Sequence, residues 1–187
     1  AVDISDKGVD SPGRKETNSA RAVHNCMRLS GINTRLAVCG VGGAEVAVRD
    51  FEFPVIPAEQ IENAVFLEAK QVCPFNTDKI AVDYRLITEG NNKTKGYLVV
   101  ATDHVIKSMV RLANRAHLDC VLMDVDGLAL INCFNEIENP GKNHGTAILN
   151  IGSNNTTFAV EGDGGWPFIR NLSYAGNNII EGIAAEN

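Results

Sequence analysis

The sequence predicts a mixed α/β fold, on three observations. Helical apolar stripes alternate with short apolar strand runs along the chain. Residues 57 to 116 read helix, strand, strand, helix, which is a compact α+β unit. Two apolar runs between Thr146 and Val160 flank a turn made of Gly, Ser and Asn. At 187 residues the chain suffices for one substantial domain or two small ones with a real core. Its 44% hydrophobic and 21% charged content is that of a globular protein. A net charge of −6 with no basic run argues against unaided binding to nucleic acid or anionic lipid. No segment has the length of a membrane span or the pattern of a signal peptide.

Residues 1 to 17 are polar, contain Gly and Pro without periodicity, and read as a loop or disordered lead-in. From Asn18 a helix follows, with Ala22, Val23, Cys26, Met27 and Leu29 as its stripe and Gly31 as its stop. Arg35 to Val41 reads as a central strand, Gly42-Gly43 as a hairpin turn, and Glu45 to Phe53 as an alternating strand ended by Pro54. A helix opens at Pro57, carries Ile61, Ala64, Val65, Ala69 and Val72, and stops at Cys73-Pro74-Phe75. Strands Ile80 to Thr88 and Gly96 to Thr102 form a hairpin with a polar tip at 90 to 93, and Asp103 caps the next helix. Leu118 to Val125 is an apolar strand, and Leu128 to Phe134 a short helix capped by Asp126. After a linker at 140 to 143 and the hairpin, Trp166 to Tyr174 is a strand and Asn177 to Ala185 a helix.

Five scattered cysteines without a CxxC pair point to a reducing compartment. Cys39, Cys120 and Cys133, among aliphatic neighbours, read as core residues. No catalytic constellation emerges: no nucleophile elbow, no Walker-type loop, and no metal-ligand set. Asp124-Val125-Asp126-Gly127 begins like a calcium loop but lacks the later carboxylates. The one stretch suited to a ligand is the turn Asn150-Ile151-Gly152-Ser153-Asn154-Asn155 leading into Thr156. Gly and Asn tolerate the positive φ angles of an anion-binding nest, so the turn can aim backbone N–H groups at a phosphate. The plainer alternative is an ordinary hairpin between buried strands.

Several segments together resemble a known family. Glu68 to Phe75 (EAKQVCPF) with Ile80 to Tyr84 (IAVDY), Leu118 to Leu130, Val46 to Pro54 and Ala147 to Val160 resemble the PilM proteins. These are actin-like components of type IV pilus assembly, related to FtsA and the heat-shock-chaperone ATPases. The resemblance covers about residues 18 to 187. It implies a partial actin-like (ribonuclease H-like) fold with an inserted α+β subdomain, as an internal fragment of a two-lobed protein. Residues 18 to 53 would end the first lobe, 54 to 117 form the insert, and 118 to 187 begin the second lobe.

The resemblance also implies a function, that of a cytoplasmic adaptor peripheral to the inner membrane. Its partners would be the N-terminal tail of a PilN-like membrane protein and other pilus platform proteins, with no membrane span of its own. Pro74 and Phe75, an apolar pair closing a helix, would lie near the tail's groove; alternatively Phe75 packs under its own sheet. ATP with Mg2+ would be held by the full-length protein and not by this segment alone. Its phosphates would meet Asn150, Gly152, Ser153, Asn154, Asn155 and Thr156, with Gly176 serving the nucleotide from the second lobe. The family usually has an acidic residue where Asn150 stands, so a charge toward the metal is lacking and hydrolysis is not expected. The alternatives are an active ATPase or kinase of the same superfold and a type II secretion platform domain.

Overall fold

The computed structural model describes residues 12–75, 79–90, 93–139, 145–162 and 166–185. The expected hairpin tip at 91–92, the linker at 140–143 and part of the turn at 162–165 lie outside these, as do residues 1–11. Contacts divide the chain into two compact units: 1–41 with 104–124, and 42–103 with 125–187.

The first unit is built from helix α1 (Pro12–Leu29), strand β1 (Leu36–Val41), helix α3 (Asp103–Arg115) and strand β5 (Asp119–Val125). Helix α1 starts at Pro12, earlier than the Asn18 suggested by periodicity, because proline's fixed φ suits a first turn where its missing N–H is not needed. It stops at Gly31 as expected, with φ +66° and bonds from Gly31 N to Arg28 O (3.3 Å) and Ile32 N to Met27 O (3.0 Å). Helix α3 ends in the same motif, but a histidine, His117, holds the left-handed position at φ 62°. Glu16 of α1 meets Arg111 (3.7 Å) and Arg115 (3.5 Å) of α3. Strand β1 was expected to be central; among the described strands it pairs with β5 alone, and Leu36 and Val38 are exposed. Cys39 is buried, and its thiol is pushed up to about 11 by burial, with neighbouring Cys120 adding to the effect.

In the second unit, strands β2 (Val46–Pro54), β3 (Ile80–Gly90) and β4 (Lys93–Thr102) form an antiparallel sheet in the order β2-β4-β3. Helix α2 (Ala58–Val72) covers it, inserting Ile61, Val65 and Ala69 against Phe51, Leu98 and Val100. The Gly42-Gly43 turn is therefore not a hairpin: β1 and β2 belong to different sheets. The turn instead redirects the chain, with Gly43 at φ +81°. Strand β2 pairs with β4 over its whole length and falls in this unit, while α3 falls with α1, β1 and β5 in the first.

The other half of this unit is a second antiparallel sheet, β6 (Thr146–Ile151), β7 (Thr156–Glu161) and β8 (Pro167–Leu172), with helices α4 (Asp126–Glu138) and α5 (Gly176–Ala185). Helix α4 is longer than expected because its polar second half still finds partners; Asn135 donates to Glu161 at 2.6 Å, and Asn139 ends it at φ 45°. Asp126 is not the cap: the helix begins at Asp126 itself, with Val125 preceding and no side-chain capping bond. Cys133 is exposed, not core, since it follows buried Ile131 by two residues and so lies on roughly the opposite face of α4. Gly127 brings α4 against β8; a Cβ there would lie 2.6 Å from Ile169.

Candidate functional site

The turn from Gly152 to Asn155 joins β6 to β7, whose register pairs Ile151 with Thr156 and Asn150 with Thr157. It is closed by Gly152 N donating to Asn155 O at 3.0 Å. No residue of this turn has positive φ, so the expected nest of alternating hands is absent, and glycine is required at 152 for space. A Cβ on Gly152 would lie 2.8 Å from the carbonyl oxygen of Asn155.

Helix α5 begins against this turn. Gly176 N and Asn177 N donate to Gly152 O and Ser153 O, both at 2.9 Å, so two orphan donors of the helix are satisfied by the loop. Asn177 Nδ2 donates to Asn154 Oδ1 at 2.7 Å, and Ala175 N donates to Asn178 Oδ1 at 2.9 Å, which is half of a capping box. Gly176 thus seats the helix on the loop; a Cβ there would lie 3.1 Å from Gly152 O. Thr156 is buried and spends its hydroxyl on Tyr174 O at 2.7 Å, so it fixes the loop from beneath. The exposed part of the candidate set is Asn150, Ser153, Asn154 and Asn155. The backbone N–H groups of Ser153, Asn154 and Asn155 donate to nothing among the described residues.

Sequence reasoning missed what lies beside this loop. Asn171 of β8 donates to Gly43 O (3.0 Å) and Val46 O (3.4 Å), and accepts from Thr157 at 3.2 Å. This fixes the Gly42-Gly43 turn to the second sheet. A Cβ on Gly43 would lie 3.3 Å from the Asn155 amide, and one on Gly42 would lie 2.4 Å from an Asp126 carboxylate oxygen. The glycine turn, read as a hairpin, therefore lies against both the loop's last residue and a carboxylate. Two adjacent glycines before a strand were the available signal, and hairpin chemistry claimed it. Among the described residues, no group of three or more His, Cys, Asp or Glu is arranged to hold a metal ion.

A second feature is a groove of about 270 Å³ in the same unit. Arg85 and Tyr97, register partners on β3 and β4, line it together with Leu128, Ile131 and Asn132 of α4 and Glu161 of β7. Strand alternation explains the placement: Tyr84 and Leu98 face α2, so the next pair, Arg85 and Tyr97, faces the opposite way. The expected partner residues are elsewhere. Phe75 is half-buried and packs against the α2 core, as the plainer alternative held, while Pro74 beside it is exposed.

The family model for the type IV pilus assembly protein PilM matches residues 5–186. No curated protein matches the chain in sequence. Among solved structures, the chain is similar to one described as the PilM-PilN type IV pilus biogenesis complex, at 19% identity and TM-score 0.81, covering 97% of this chain and 56% of that one. It is similar also to the cytoplasmic domain of EpsL, an inner-membrane component of the type II secretion system of Vibrio cholerae, at 11% identity and TM-score 0.55, covering 81% of this chain and 56% of that one. A Bacteroides thetaiotaomicron protein of unknown function described as having an actin-like ATPase fold superposes at TM-score 0.39 with 14% identity, over 89% of this chain and 60% of that one, too distant to carry an argument. The mixed α/β architecture is shared with the first two structures, and the chain spans just over half the length of each. By its sequence over nearly all its length, the chain belongs to the PilM family of type IV pilus assembly proteins.

Proposed function

We propose that this chain is the partner-binding part of a cytoplasmic adaptor in the inner-membrane platform of a type IV pilus, taking the N-terminal tail of a PilN-like protein. The observation that carries this is the groove beside the α2-backed sheet. It offers apolar walls from Leu128 and Ile131, an aromatic ring from Tyr97, and polar ends from Arg85, Asn132 and Glu161. That mixture suits a short extended peptide, whose alternate side chains enter apolar space while its backbone meets polar groups. The similarity to the chain of a PilM-PilN complex over 97% of this chain supports the choice of partner. No described helix is long and apolar enough to cross a membrane, which suits attachment through a partner.

Titrating a synthetic PilN-type tail peptide into wild type, Tyr97→Ala and Phe75→Ala tests it. Tyr97→Ala should weaken binding about tenfold or more, as for a central aromatic anchor. Wild-type affinity in Tyr97→Ala with a loss in Phe75→Ala would move the tail to the Pro74-Phe75 end.

A second reading, nucleotide binding by the full-length protein, is favoured by the three undonated N–H groups of Ser153 to Asn155 beside the Gly42-Gly43 turn. In it the insert and the two lobes follow the actin-like plan, and the nucleotide is structural or regulatory. Asn150 brings no charge, so turnover of Mg-ATP by the full-length wild type would favour an ATPase over an adaptor.

A further inference from the structure

The first unit holds a concave bowl of about 450 Å³ lined by Thr17, Ala20, Arg21 and His24 of α1 and by Arg115 and His117 at the end of α3. In a chain of net charge −6, its lining has, among the described residues, two guanidinium groups, two imidazoles, a hydroxyl and no carboxylate. Glu16 sits outside the lining, held by Arg111 and Arg115. Arg115 also donates to Thr17 Oγ1 at 3.3 Å, which fixes its direction across the bowl.

A second, independent observation concerns His117. The two helix ends in this unit use one capping motif, with Leu118 N donating to Ala113 O (2.9 Å) and His117 N to Asn114 O (3.1 Å) in α3. In α1 the left-handed position is filled by Gly31, the residue such positions favour. In α3 it is filled by a histidine, whose ring meets His24 edge to face with centroids 5.8 Å apart. The left-handed turn thereby sets the His117 ring in the lining of the bowl beside that of His24.

We propose that this bowl binds a small phosphate-class oxyanion, held by Arg21 and Arg115 and capped by the imidazoles of His24 and His117. Guanidinium forks match the oxygens of a phosphoryl group, and imidazole N–H groups supply further donors. The site is separate from the peptide groove and from the β6–β7 turn, and does not depend on either reading.

The test is titration of inorganic phosphate into the chain, followed by the histidine ring signals in NMR and by calorimetry, with potassium chloride at matched ionic strength as reference. Saturable shifts of His24 and His117 are expected. His117→Gly should keep or raise thermal stability, since glycine fits the turn, yet weaken phosphate about tenfold; Arg21→Gln on the exposed face of α1 should do the same. Shifts that follow ionic strength alone, or wild-type affinity in His117→Gly, would overturn the proposal. A membrane source is separated by sedimentation with phosphatidylglycerol and phosphatidylcholine vesicles. Arg21-dependent binding to the former without saturable phosphate binding would also overturn it, in favour of a lipid surface.

Discussion

The sheets β2-β4-β3 and β6-β7-β8 share a plan, three antiparallel strands with a helix against them, yet they use their residues in opposite ways. The first encloses its apolar groups: Leu98 and Val100 are fully buried with Phe51, under Ile61, Val65 and Ala69 of α2. The second buries one large apolar side chain, Ile169, among small or polar residues, Ala159, Thr156 and Thr157, and leaves Leu149 and Ile151 more than half exposed at 58% and 54%. The first is held by hydrophobic burial. The second is held at its working end by hydrogen bonds, from Thr156 to Tyr174, from Asn171 to Gly43, and from α5 to the Gly152-Ser153 carbonyls. Burial gives a rigid block; directional bonds position a loop.

Three substitutions probe that contrast, in falling order of effect. Leu98→Ala removes the centre of the enclosed core and should destabilise by about 2–5 kcal/mol in denaturant unfolding. A cost near that of a surface change would mean α2 closes over the gap. Gly152→Ala tests the loop: its Cβ would meet the Asn155 carbonyl at 2.8 Å, which has no side-chain freedom to yield. About 1–3 kcal/mol is expected, with amide signals of Ser153, Gly176 and Asn177 displaced and those of Leu98 unmoved. A uniform change across both sheets would show that they are not separable. The smallest effect belongs to Glu52 on β2, whose carboxyl is held below its ordinary 4.5 by hydrogen bonds from Lys93 and then Lys95. A depressed carboxylate stabilises the fold above its unfolded value and loses that contribution as pH falls through the lower folded one. Glu52→Gln should thus lower the melting temperature slightly at neutral pH, with the difference shrinking as pH falls below the ordinary carboxylate value. A difference that persists in acid would assign the effect to packing.

The elements were legible where local chemistry suffices. Helix α2, with Pro57 before it and Ile61, Val65 and Ala69 at helical spacing, is where its pattern puts it, and Gly31 stops α1. Segment matches carried the family, and the PilM match over 5–186 bears that resemblance out. Pairing was not legible. Gly42-Gly43 has the composition of a hairpin turn, but β1 pairs with β5 and β2 with β4, so the turn joins two different sheets. Asp126 resembled a cap because acidic residues are common there, yet the helix starts at Asp126 itself and its carboxylate faces Gly42.

For the candidate sites the division is sharper. The sequence by itself determined that a Gly/Ser/Asn turn joins two apolar strands near 152, because turn chemistry is a property of adjacent residues. It also determined that no acidic residue stands at Asn150. Only the tertiary structure decided that Thr156 and Gly176 support the loop from within, that Asn155 lies against Gly43, and that Arg85 and Tyr97 share a groove with α4. It alone brought the ring of His24 to that of His117, far away in the chain. Those relations depend on which faces bury against which, and burial is decided by the whole packed unit rather than by any local run of residues.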